Sequence, residues 1–75
     1  MAPQQSDEQR AAQLRESRYQ RVLAEVQRAT RNGDAVRMRE VASRAHVSMT
    51  TIYQMWTSKD RLVAEALTAR VVLEE

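Results

Sequence analysis

The apolar residues of this chain fall into four short stripes at helical spacing, a pattern that predicts packed helices and no strands. Tyr19, Val22, Leu23, Val26 and Ala29 fall at i, i+3, i+4, i+7 and i+10, one face of a helix. Arg31-Asn32-Gly33 ends it, because the chain's only glycine stands where a left-handed C-cap is expected. Asp34-Ala35-Val36 forms a short connector with Val36 turned inward. A second helix is expected from about Met38 to Ala45, with Met38, Val41, Ala42 and Ala45 on its inner face. After a tight turn at His46-Val47, Ser48 offers an N-cap hydroxyl for a third helix running through Met49 to Trp56. Thr57-Ser58 breaks it, and Ser58 caps a fourth helix with Asp60 near its positive end. Leu62, Val63, Ala66, Leu67 and Val71 supply the fourth stripe. Residues 1–17 lack a sustained apolar face and read as a flexible polar tail. Within it, Met1–Gln9 is expected to be disordered and Arg10–Glu16 to be able to extend the first helix outward. The expected fold class is all-α, a small domain of three to four helices over residues 18–63.

Size and composition exclude several functions. Seventy-five residues allow one small core and no large substrate cavity. Without cysteine, neither disulfides nor thiolate metal sites can form, and no cofactor or metal constellation converges elsewhere. No nucleophile with a base and no paired acids suggest an enzyme. No apolar run approaches the ~20 residues that span a bilayer, and the polar, acidic start Met1–Glu8 is not a secretory signal. The expected location is the cytoplasm, away from membranes.

Charge is unevenly spread. The net charge is +2, divided as −1 over residues 1–17, +5 over 18–63 and −2 over 64–75. Eleven of the twelve basic residues are Arg, whose planar fork suits phosphate and base edges. A basic middle between acidic ends fits a nucleic-acid footprint, although charge alone is a weak pointer.

The third helix is more informative. With Ile52 at the centre of its inner face and 100° per residue, Trp56 falls about 40° away, so both side chains point into the core. Thr50 and Gln54 then lie on the outer face, flanked by Thr51 and Tyr53, with Met49 and Met55 on the margins. This outer face carries no charge in a chain that is 29% charged, whereas a solvated face ordinarily shows Glu, Lys or Arg. Hydroxyls, an amide and a phenol suit phosphate oxygens and base edges. The plain alternative is a neutral polar surface.

Two short helices separated by a turn of about three residues match helix-turn-helix spacing. Met38-Arg39-Glu40-Val41-Ala42-Ser43-Arg44-Ala45-His46-Val47-Ser48, then Thr51-Ile52-Tyr53 and Trp56, then Ser58-Lys59-Asp60-Arg61-Leu62, resembles the N-terminal domain of TetR-family transcriptional regulators, a homeodomain-like helix-turn-helix. The resemblance covers roughly residues 18–70. It implies sequence-specific binding of double-stranded DNA for transcriptional regulation, as a repressor, with residues 48–56 as recognition helix in the major groove. It also implies a larger C-terminal domain that forms a homodimer on a palindromic operator and binds a small-molecule effector. Residues 64–75 read as the fourth helix continuing through Val71-Val72-Leu73-Glu74-Glu75 toward that domain, without a C-cap. The chain departs from the family pattern at four points. His46 replaces a turn glycine, Trp56 replaces Phe, the connector after Gly33 is one residue short, and Arg37 stands where Ser or Thr caps helix two.

Carried onto this chain, the family pattern implies that Arg39 reaches a base or phosphate from helix two and that Tyr53 and Thr51 bind phosphate. Lys59 meets phosphate from the first turn of helix four, and Arg37 adds a nearby cation. Gln54 and Thr50 are the expected base readers, one pairing with adenine and the other packing on a thymine methyl. Ser48, Met49 and Met55 complete the candidate DNA-binding set. Each has a simpler alternative: a solvated, acid-paired Arg39, a Tyr53 packed on the helix rim, an exposed Lys59, a Thr51 bonded locally, and methionines on the core rim. His46 reads as structural and Trp56 as core. The competing function is a small helical protein-interaction module, which would need larger apolar anchors on the third helix.

Overall fold

The computed structural model describes residues 7–69, and within them the chain forms four helices and no strand. These are α1 (Asp7–Arg31), α2 (Met38–Ala45), α3 (Met49–Met55) and α4 (Lys59–Thr68). α1 packs against α2 and α4, and α3 packs against α2. The core is Val22, Leu23 and Val26 of α1, Val36 of the connector, Val41, Ala42 and Ala45 of α2, Ile52 and Trp56, and Leu62 and Ala66 of α4. The fold class is all-α with a helix-turn-helix, as the stripes predict.

Helices α1 and α2 end by the same device. Gly33 has φ +75°, its N–H donates to the Thr30 carbonyl at 3.2 Å, and the Asp34 N–H donates to that of Ala29 at 2.9 Å. At the end of α2, His46 takes φ 60° and ψ 43°. Its N–H donates to Ser43 at 3.3 Å, and the Val47 N–H donates to Ala42 at 3.0 Å. Both are paired closures that satisfy the last helical carbonyls around one left-handed residue. His46 is thus a non-glycine held at positive φ, which costs an L-residue ~1–2 kcal/mol. His46→Gly relieves that strain while adding entropy to the unfolded chain worth ~0.4–1 kcal/mol. The expected outcome in a thermal melt is a net gain between zero and ~1.6 kcal/mol, a rise of up to ~13 °C. His46→Val, β-branched at the same φ, should melt below the parent.

Helices α3 and α4 begin with the expected serines. The Ser48 hydroxyl accepts from the Thr51 N–H at 3.0 Å, and that of Ser58 from the Arg61 N–H at 3.2 Å. Arg37 stands at the N-cap of α2 in an extended conformation and makes no side-chain cap bond.

Helix α1 also closes the C-terminal ends of its neighbours. Arg21 Nε donates to the Ala45 carbonyl at 2.8 Å, and Gln27 Nε2 donates to the carbonyls of Ala66 and Ala69, both at 2.7 Å. These satisfy carbonyls that a helix end otherwise leaves to water.

Three features differ from the expectations. α1 starts at Asp7, so Asp7–Gln9 is helical rather than disordered; residues 1–6 of that tail lie outside the described residues. The extension has Asp7 and Glu8 in its first turn, and Gln20 Nε2 donates to Glu16 at 2.7 Å one turn back. Acids at the positive helix end and i,i+4 side-chain pairs extend a helix without any apolar face. α4 ends at Thr68, with Ala69 extended at φ −77° and ψ 145°, instead of running on; Val71 and the residues after it lie outside the description. Leu67, assigned to the fourth stripe, is 65% exposed, because the inward face of α4 is Leu62 and Ala66, with Val63 half-buried.

Candidate nucleic-acid interface

Helices α2 and α3 with the turn His46–Ser48 form the helix-turn-helix. The phase of α3 decides which side chains it offers outward. Ile52 is fully buried and Trp56 is 4% exposed, so the Ile52–Trp56 side faces the core. Trp56 holds the end of α3 in three ways. Its N–H donates to the Ile52 carbonyl at 2.8 Å. Its ring stacks on Tyr19 of α1 with centroids 5.1 Å apart and planes at 16°. Its indole Nε1 donates to Glu65 Oε1 of α4 at 3.2 Å. The orientation of α3 is therefore fixed from both flanking helices.

On the opposite side, Thr50, Tyr53 and Gln54 are exposed, Tyr53 by 45%. Thr51 is half-buried, and Met49 and Met55 are half-buried and packed against the core. The two methionines thus sit on the core rim, where only their edges reach the outer face. Among the described residues, Thr50 and Gln54 have no hydrogen-bond partner, so their polar groups face solvent unspent.

The Ser48 and Thr51 hydroxyls lie 2.9 Å apart in a mutual hydrogen bond. Between two hydroxyls only one O–H is used, which leaves the other free to donate outward. The local bond at Thr51 and an outward contact are therefore compatible for the pair.

The helices on either side of α3 in the chain start with basic groups. Arg37 and Arg39 of the α2 start are exposed, as is Lys59 in the first turn of α4. None of the three is in an ion pair among the described residues, where Arg28 bonds Glu25 at 3.0 Å within α1. Arg39 is thus solvated, as its plain reading has it, with no acid partner among the described residues. No group of three or more His, Cys, Asp or Glu among the described residues is placed to hold a metal ion. No described helix is long and apolar enough to cross a membrane.

Sequence reasoning passes over Arg15 and Arg18, which the extension of α1 brings beside Thr51, Gln54 and Met55. Their i,i+3 spacing was visible, but nothing in the sequence indicated that this part of α1 runs alongside α3.

No curated protein and no solved structure matches the chain. The family model for bacterial regulatory proteins of the tetR family matches residues 24–66, from within α1 to the buried Ala66 of α4, which is more than half of the chain. That span holds the whole helix-turn-helix, the second half of α1 without Tyr19, Val22 and Leu23, and most of α4. The chain belongs to the tetR family of bacterial regulatory proteins, and the α2–α3 unit is its DNA-binding helix-turn-helix.

Proposed function

We propose that α3 enters the major groove and reads an operator sequence, and that the protein acts as a cytoplasmic repressor. The observation that supports this most is the outer face of α3, uncharged, exposed and unpaired, with cations on the neighbouring helix starts. In this reading Gln54 and Thr50 read base edges, with the margins of Met49 and Met55 touching thymine methyls. Tyr53 and the Ser48–Thr51 hydroxyl pair bind phosphate, and Arg37, Arg39 and Lys59 neutralise backbone charge. Phosphate contacts of this kind set register, whereas the amide and methyl contacts carry sequence. Family membership supports a homodimer on a palindromic site and a small-molecule effector that alters the separation of its two DNA-reading heads.

The test is a titration of duplex DNA at increasing salt. With two to four phosphates neutralised by the basic groups of α2 and α4, log K is expected to fall against log salt with a slope of about −2 to −4 per head, at ~0.9 per phosphate. Salt-independent binding would overturn the reading and favour a protein partner for the same face.

A further inference from the structure

Helix α1 is longer than the core requires. Its buried stripe begins only around Tyr19, yet the helix reaches back to Asp7. At ~1.5 Å per residue the extra twelve residues, Asp7–Arg18, add roughly 18 Å. Part of this extension runs beside α3, where Ala11, Leu14, Arg15 and Arg18 line one cleft with Thr51, Gln54 and Met55. The four α1 residues are spaced i, i+3, i+4 and i+7, so they share a face, and both guanidinium-bearing residues stand on it.

The flank of α3 that they approach is specific. With Ile52 inward, Thr51 and Met55 lie on one side of α3 and Met49 and Tyr53 on the other. A helix in the major groove, which is about 12 Å wide, has a phosphate strand on each side. Tyr53 therefore faces one strand, and the cleft with Arg15 and Arg18 faces the other. Arg15 is exposed and Arg18 half-buried, and neither has an ion-pair or hydrogen-bond partner among the described residues. Two like charges one turn apart repel when nothing neutralises them, and two neighbouring phosphates of one strand, one for each guanidinium, would. The family match begins at Ala24, so neither arginine lies within it.

We propose that Arg15 and Arg18 form a second phosphate clamp, gripping the DNA backbone on the Thr51 side of α3 opposite Tyr53. The clamp rests on α3 lying in the major groove. It works by the bidentate match of guanidinium to phosphate, and it adds affinity without sequence preference.

The experiment titrates the chain with a mixed-sequence 30-base-pair duplex at several salt concentrations. It compares the parent with R15Q/R18Q, R15K/R18K and Q9E/Q13E. The last pair makes the same change in net charge on the opposite, exposed face of the same extension. Removing two phosphate contacts should make the salt slope shallower by ~1.8 for R15Q/R18Q. If parent and variant bind alike at 1 M salt, that is a loss of ~60-fold at 0.1 M. R15K/R18K should keep most of the slope and Q9E/Q13E all of it, with helicity unchanged throughout by circular dichroism. A parent that does not bind DNA overturns the groove assignment of α3 and the clamp together. A parent whose binding weakens with salt while R15Q/R18Q keeps the parent's slope, or while Q9E/Q13E loses as much, overturns the clamp alone.

Discussion

Trp56→Ala is expected to unfold the domain or lower its melting temperature steeply, with DNA binding lost only as a consequence. Trp56 follows the last residue of α3, so a contact role would be easy to assign to it, but its 4% exposure places the ring inside. Truncating a buried aromatic typically costs ~3–5 kcal/mol, and here the loss includes the stack on Tyr19 and the indole bond to Glu65. A small domain has only ~5–15 kcal/mol in all. At about 4–8 °C per kcal/mol the melt should shift by ~12–40 °C. Trp56→Phe keeps the stack but removes the donor to Glu65, whose Oε2 is already buried without a partner. That leaves a half-buried carboxylate with neither oxygen hydrogen-bonded among the described residues, a cost of ~1–3 kcal/mol beyond the smaller ring. The family's usual residue should thus be milder than Ala and still destabilising in this chain, and Trp56→Phe/Glu65→Leu should recover part of the difference. Circular dichroism against temperature decides it. A Trp56→Ala protein that melts like the parent yet no longer binds DNA would mean that Trp56 points outward and that the phase of α3 is wrong.

That phase was legible because a single turn of periodicity fixes it. Ile52 and Trp56, four residues apart, had to share the buried side, and the structure buries both. The ends of α1 and α2 were legible from Gly33 and His46, since a left-handed residue is needed where each chain reversal starts. What stayed hidden has other physical origins. The extension of α1 is held by end charges and side-chain pairs along its own surface, which leave no apolar stripe to detect. Leu67 follows Leu62, Val63 and Ala66 in the apolar count, but α4 stops one residue later and the chain supplies no described surface to cover it. Arg21 and Gln27 cap carbonyls 24 to 42 residues away. Such bonds depend on how helices meet and have no local signature. The candidate site divides the same way. Which side chains of α3 face outward follows from the fold, whereas which of them touches a base depends on the DNA.

Gln54→Ala and Lys59→Ala are therefore expected to fail differently, and the difference tests the division between reading and holding. Both side chains are exposed, so neither truncation should move the melting temperature appreciably. Gln54 sits on the outer face of α3 with its amide unpaired, able to meet adenine with a donor and an acceptor at once. Its loss should cost ~1–3 kcal/mol on an operator, about 5- to 160-fold, and little on mixed-sequence DNA. Lys59 stands at the start of α4, where its ammonium and the helix end both favour an anion. Its loss should weaken operator and mixed-sequence binding by the same factor and make the salt slope shallower by ~0.9. The measurement is a pair of titrations for each variant, one on an operator recovered by selection from a random duplex pool and one on the unselected pool. If Gln54→Ala weakens both alike, the amide holds backbone and does not read sequence. Specificity would then have to come from Thr50 and the methionine edges, or from the deformability of the operator itself.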